Sequence, residues 1–205
     1  MRLSWKWIRK GGSMVKRLVI GMSGASGSPI AVELLRQIRS VHPETETHLV
    51  VTRSAALTLK QESGMSVGDL TQLASSVHSI NDIGASIASG SFHTMGMVIV
   101  PCSMKTIAGI VTGYSDNLLL RAADVCLKER RKLVLVARES PFSTVHLRNL
   151  YEASQLGAVI LPPMLTYYQG FDSLRECTCY TAARILSQFD LNEADFEWRG
   201  MNDTV

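Results

Sequence analysis

Arg17-Leu18-Val19-Ile20-Gly21-Met22 is a short apolar run that passes directly into the small residues Ser23-Gly24-Ala25-Ser26-Gly27, and from Ser28 the apolar residues recur at spacings of three and four. A continuous aliphatic run, a small-residue turn and an amphipathic segment together spell one strand-turn-helix unit of a parallel sheet. The turn then lies at the carboxyl edge of the strand, with free backbone N–H groups at a helix N-terminus, where a phosphate is stabilised. The glycine spacing is GxxGxxG and not the GxGxxG of dinucleotide-binding folds. A tight turn whose glycines supply positive φ is the alternative reading of the same residues.

The unit recurs along the chain. Strands are expected at 17–22, 48–52, 97–101, 132–136 and 158–161, and helices at 28–40, 53–62, 104–111, 117–129, 143–155 and 172–188. This alternation predicts an α/β fold with a parallel sheet of five or six strands, covered by helices on both faces in three layers. Ser63 to Thr94 is polar and weakly periodic, and reads as loops and short helices inside the domain. One domain over 14–190 is expected, with residues 1–13 as an N-terminal extension and 191–205 as a C-terminal tail.

Composition narrows the function. A net charge of +3 over 205 residues, with scattered Lys and Arg, gives no footprint for nucleic acid and fits a small anionic ligand better. The four cysteines, Cys102, Cys126, Cys177 and Cys179, and the five histidines form no zinc spacing, so no metal is expected and a reducing cytoplasmic setting follows. No run reaches transmembrane length, and the N-terminal residues lack the apolar core of a signal peptide.

Three further turns fall on the same predicted sheet edge. Pro101-Cys102-Ser103-Met104-Lys105-Thr106 follows the third run, with hydroxyls and N–H groups that cap a helix or hold a phosphate. Ala137-Arg138-Glu139-Ser140-Pro141 puts a cation and a carboxylate at the end of the fourth. The fifth leads into Pro162-Pro163-Met164-Leu165-Thr166-Tyr167-Tyr168. Thr52-Arg53 stands where an NAD site places an acidic residue, and there is no GxxxxGK[ST], so NAD and P-loop chemistry are disfavoured. No Ser-His-Asp triad or DDxxD box is legible.

GMSGASGSP, PCSMKT, RAADVCLKERRKLVLVARESPFSTVHLRNL and GAVILPP together resemble the flavin prenyltransferases of the UbiX and phenylacrylate decarboxylase-associated type, over residues 15 to about 190. The resemblance implies a flavodoxin-like, Rossmann-like fold assembled as a homo-oligomer, a dodecamer built from trimers, with FMN and dimethylallyl phosphate at subunit interfaces. It implies FMN contacts from Gly24, Ala25, Ser26, Thr52, Ser103, Met104, Lys105, Thr106 and Arg138. It places Lys128, Glu139, Tyr168 and Arg184 around the prenyl phosphate, with Glu62 at a further acidic position. Ser26, Glu62, Lys128 and Glu139 are the expected catalytic residues, and the product is expected to pass to a UbiD-type decarboxylase. Leu165 to Phe171 departs from the Pro-x-Phe-Tyr pattern of the family, although Tyr168 keeps its place. The competing expectation is an FMN-dependent decarboxylase of the cysteine-decarboxylase or aromatic acid carboxy-lyase kind. The chain offers no histidine between His48 and His78 for the former.

Overall fold

The computed structural model describes residues 15–191. The expected extension at 1–13 and almost all of the expected tail at 191–205 lie outside the described residues. Six strands form one parallel sheet in the order β3-β2-β1-β4-β5-β6. They are β1 (Arg17–Met22), β2 (Glu46–Val51), β3 (Ser76–His78), β4 (Gly96–Cys102), β5 (Lys132–Ala137) and β6 (Val159–Ile160). The helices are α1 (Ser28–Val41), α2 (Arg53–Ser63), α3 (Val67–Leu70), α4 (Met104–Val111), α5 (Leu118–Lys128), α6 (Thr144–Gln155) and α7 (Leu174–Ser187).

Alternate residues along each strand feed two cores. Leu18, Ile20, Leu49, Val98 and Val134 pack under α1 and α7, while Val19, Val50, Met97, Ile99 and Leu135 pack under α4 and α5. Strands buried on both faces need continuous aliphatic runs, which is why β1, β4 and β5 are legible in the sequence.

The third strand is not. Ser76–His78 is three residues long, half-buried and polar, so no aliphatic run marks it. It is fixed to β2 by the parallel ladder and by a histidine pair, with His48 Nδ1 and His78 Nε2 3.0 Å apart. The Phe92 ring meets His48 edge-on, and the Arg17 guanidinium covers Phe92 at 4.7 Å from its centroid. Burial lowers the pKa of both imidazoles. The neighbouring His78 and Arg17 add to this at His48 against Glu46, and Asp82 opposes it at His78.

The strand order reverses between β1 and β4. β1 runs on to β2 at one side, and β4 continues to β5 and β6 at the other. In an open parallel sheet, this switch point leaves a crevice outside the carboxyl ends of the two strands.

Candidate functional site

The crevice is built from three strand-to-helix turns. A cleft of about 380 Å³ is lined by Ser23 and Gly24 after β1, Thr52 and Ser54 at the start of α2, and Ser103, Lys105 and Thr106 at the start of α4. Thr52 caps α2 by accepting the Ala55 N–H at 3.2 Å, and Ser103 caps α4 by accepting the Thr106 N–H at 3.3 Å. Two helix N-termini with hydroxyl caps therefore open on one cleft, and Lys105 adds a cation at its wall. Hydroxyls, first-turn amides and one ammonium are the donor set that suits a phosphate monoester.

The first turn is organised differently from the sequence reading. Gly27, at φ 119, is the N-cap of α1 and supplies no side-chain cap. That role falls to Glu62 on α2. Its Oε2 accepts the Gly27 N–H at 3.1 Å, the Ser28 N–H at 2.8 Å and the Ser28 hydroxyl at 2.6 Å. The anion at the α1 N-terminus is thus a carboxylate of the chain itself. Burial pushes the Glu62 carboxyl up. Hydrogen bonds from the Ser28 and Ser26 hydroxyls and from the Gly27 and Ser28 amides outweigh this, and hold it below the ordinary range. Ser26, through its effect on the Glu62 carboxyl, is thus coupled to another of the expected catalytic residues.

Gly24 sits so close to α2 that a Cβ there would meet the Ser54 side chain at 2.4 Å. Ala25 is held in the same turn by its N–H to the Ser23 carbonyl at 2.8 Å. Met104 is buried under α4 and faces the core, so of that turn Ser103, Lys105 and Thr106 reach the cleft.

A second cleft, about 330 Å³, runs beside edge strand β6. Ile160, Leu161, Pro162 and Met164 give it an apolar wall, and Tyr168, Tyr180 and Arg184 give it a polar end. The turn that departs from the family pattern is anchored here. Phe171 packs on Tyr180 with ring centroids 5.3 Å apart. Burial raises the pKa of Tyr180, as does its hydrogen bond to Tyr168, while Arg184 and Gln169 pull it down.

The end of β5 separates the two clefts, because β5 lies between β4 and β6. Arg138 is exposed there, its N–H bonded to the Cys102 carbonyl at 3.2 Å. Glu139 accepts the Ser140 N–H at 3.1 Å on Oε1. These residues and both clefts cluster at one side of the sheet.

Lys128 does not join them within the chain. It ends α5 and precedes β5, whereas Arg138 and Glu139 follow β5. The length of that strand, about 17 Å at roughly 3.4 Å per residue, lies between them. The Lys128 ammonium instead pairs with Glu129, and both head groups cover Gly90 in the Ser89-Gly90-Ser91 loop. Sequence reasoning also passed over Ser23 and Tyr180. Ser23 looks like one more small residue of the turn, and Tyr180 falls within an ordinary helical spacing. For neither does spacing alone signal the contact made.

A family model described as Flavoprotein matches residues 9–178. The chain is 50% identical over 188 residues to a probable UbiX-like flavin prenyltransferase of Sedimentibacter hydroxybenzoicus, covering 91% of this chain and 99% of the relative. It is 50% identical over 175 residues to the flavin prenyltransferase UbiX of Escherichia coli K12, covering 85% and 92%. Among solved structures, it superimposes on AnUbiX (PadA1) in complex with FMN and dimethylallyl pyrophosphate with a TM-score of 0.87 at 45% identity, covering 91% and 99%. A dodecameric FMN-dependent UbiX-like decarboxylase from E. coli O157:H7 gives 0.86 at 45% identity, covering 90% and 100%. Fold and crevice thus define an FMN-type flavoprotein of the flavodoxin-like class. Within that class, the chain belongs to the UbiX-like flavin prenyltransferase family.

Proposed function

We propose that this chain joins the dimethylallyl group of dimethylallyl phosphate to N5 and C6 of reduced FMN, releasing phosphate. The observation that carries the reading is the pair of clefts on either side of the β5 end. One has a hydroxyl, amide and lysine lining suited to the flavin phosphate, and the other has an apolar wall ending in Arg184 and Tyr168, suited to a short prenyl phosphate. The family to which the chain belongs supports the same ligands.

Thr52, Ser103, Lys105 and Thr106 hold the flavin phosphate, and Gly24 and Ala25 give the ring system a close backbone wall. Arg138 lies between the flavin and the second cleft. Bound reduced FMN supplies the two nucleophilic positions that close the new ring. Arg184 and Tyr168 hold the donor phosphate and offset the charge that grows on it as the C1–O bond breaks. Glu139 accepts the proton given up at the ring carbon; of the two protons lost, at N5 and at the ring carbon, one ends on the alkene carbon of the prenyl group and one on the departing phosphate, which balances the reaction. Ser26 turns its hydroxyl proton to Glu62 and presents a lone pair toward the reacting N–H, which positions that nitrogen. Lys128 serves the site of a neighbouring subunit, because its own β5 holds it away from Arg184. The assembly is thus a homo-oligomer, and a dodecamer is our expectation. The prenylated flavin then passes to a UbiD-type decarboxylase.

Anaerobic incubation of the protein with reduced FMN and dimethylallyl phosphate tests the reading. The expected product is a flavin heavier by one C5H8 unit, with one phosphate released per flavin. An unchanged flavin mass refutes prenyl transfer, and an unchanged flavin with carbon dioxide evolved from a carboxylic acid substrate supports the decarboxylase alternative.

A further inference from the structure

We propose that Ser23 is a positioning residue that sets the two halves of the crevice against each other for the flavin phosphate. The proposal rests on the reading that this phosphate is held by Thr52, Ser103, Lys105 and Thr106, with the turn after β1 against the flavin ring system. Ser23 is 1% exposed, so it presents almost nothing of itself to a ligand, and any effect it has passes through its neighbours. The partners of its side chain all lie across the crevice. The Ser103 N–H donates to Ser23 Oγ at 2.8 Å, Ser23 Oγ is 3.2 Å from the Pro101 carbonyl and 3.3 Å from Ser103 Oγ, and the Ser23 N–H donates to the Pro101 carbonyl at 3.1 Å.

Ser103 passes the constraint on. Its hydroxyl caps α4 and lies 3.1 Å from the Thr106 hydroxyl, so Ser23, Ser103 and Thr106 form a chain of hydroxyls from the end of β1 into the first turn of α4. At the switch point, β1 and β4 diverge into separate turns, and nothing in the parallel ladder fixes the spacing of those turns beyond the last ladder pair, Gly21 with Ile99. The Ser23 side chain bridges that gap. Its single proton satisfies one acceptor at a time, while its lone pairs receive the Ser103 N–H, so the bond that matters is the one Ser23 accepts. Without the hydroxyl, the Ser103 N–H loses its acceptor, and the turn after β4 is tied to the first turn only one step earlier, by the Ser23 N–H on the Pro101 carbonyl.

The test compares FMN with riboflavin, which has the same ring system and no phosphate, by equilibrium titration of flavin fluorescence. Ser23→Ala is expected to weaken FMN binding about tenfold, the scale of one buried hydrogen bond lost, and to leave riboflavin binding unchanged. Ser23→Thr, which keeps the hydroxyl, is expected to restore the preference for FMN. Ser23→Cys, close in size and a poor acceptor, is expected to behave like Ser23→Ala and serves if the alanine variant does not fold. Equal losses for both flavins, or no loss for either, would overturn the positioning role. A wild-type protein with no preference for FMN over riboflavin would overturn the placement of the phosphate as well, so the two failures are told apart.

Discussion

Substitution of Glu62 probes the local geometry most directly. Its carboxylate accepts two first-turn amides and the Ser28 hydroxyl at the N-terminus of α1, doing from another helix what an N-cap side chain ordinarily does. Glu62→Ala removes every one of these acceptors. Because the site is largely open to solvent and water replaces part of what is lost, the expected cost is about 1–2 kcal/mol, the range of a lost N-cap. Glu62→Gln keeps an acceptor oxygen for Gly27 and Ser28 and loses only the charge facing the helix end, so its expected cost is smaller, about 0.5–1 kcal/mol.

The two variants also differ from the wild type in pH dependence. The folded-state pKa of Glu62 is depressed, so the stability it contributes is fully present above the unfolded value. It is lost as pH falls through the folded value. Both variants should therefore approach the wild type in stability as the solution is acidified below the carboxylate range. Urea unfolding of the flavin-free protein from neutral to acid pH measures this. If Glu62→Gln matches the wild type at neutral pH, or if the stability difference does not shrink in acid, the capping argument is wrong.

Glu139→Gln is expected to leave FMN affinity intact while slowing prenylated-flavin formation by about 100-fold, read by single-turnover mass spectrometry. Tyr180→Phe removes the partner of the Tyr168 phenol, and should raise KM for dimethylallyl phosphate several-fold, about 1 kcal/mol in kcat/KM, with FMN affinity unchanged in a titration. The His48 and His78 pair has folded-state pKa values below the ordinary histidine value, so protonation opposes folding. Stability should decline as pH falls below about 6.5, and His78→Phe, which leaves His48 as a single imidazole, should flatten that decline in denaturant midpoints.

The parts of the molecule that were legible in sequence are those where one physical demand acts alone. β1, β4 and β5 are buried on both faces, so only unbroken aliphatic runs serve, and Leu18 to Met22 or Leu133 to Ala137 announce themselves. The Ser103 cap is legible because a hydroxyl at a strand-to-helix turn either caps the helix or holds a phosphate, whereas Thr52 is placed by the family pattern and its capping of α2 appears only in the structure. β3 was hidden because it is held by a histidine pair and an arginine-covered phenylalanine, a cluster whose members are 14 to 75 residues apart in the chain. Glu62 was placed by family pattern, yet its grip on α1 is a long-range contact that no local spacing encodes. Lys128 is the instructive case. The family pattern groups it with Tyr168 and Arg184, and only the direction of α5 and the length of β5 separate it from them within one chain.

That separation has a consequence for symmetry. Arg184 and Tyr168 lie beside β6, and Lys128 lies with Glu129 over Gly90 at the far end of α5. On the proposed reading, each subunit therefore lends one surface to its neighbour's reaction and borrows the other. A two-fold contact does this reciprocally, and a head-to-tail contact does it by closing into a ring. Either closed assembly completes its sites, whereas an isolated chain completes none. Mixing subunits that lack Lys128 with subunits that lack Arg184 should then regenerate activity that neither population has alone, since some junctions in the mixed assemblies inherit both intact partners.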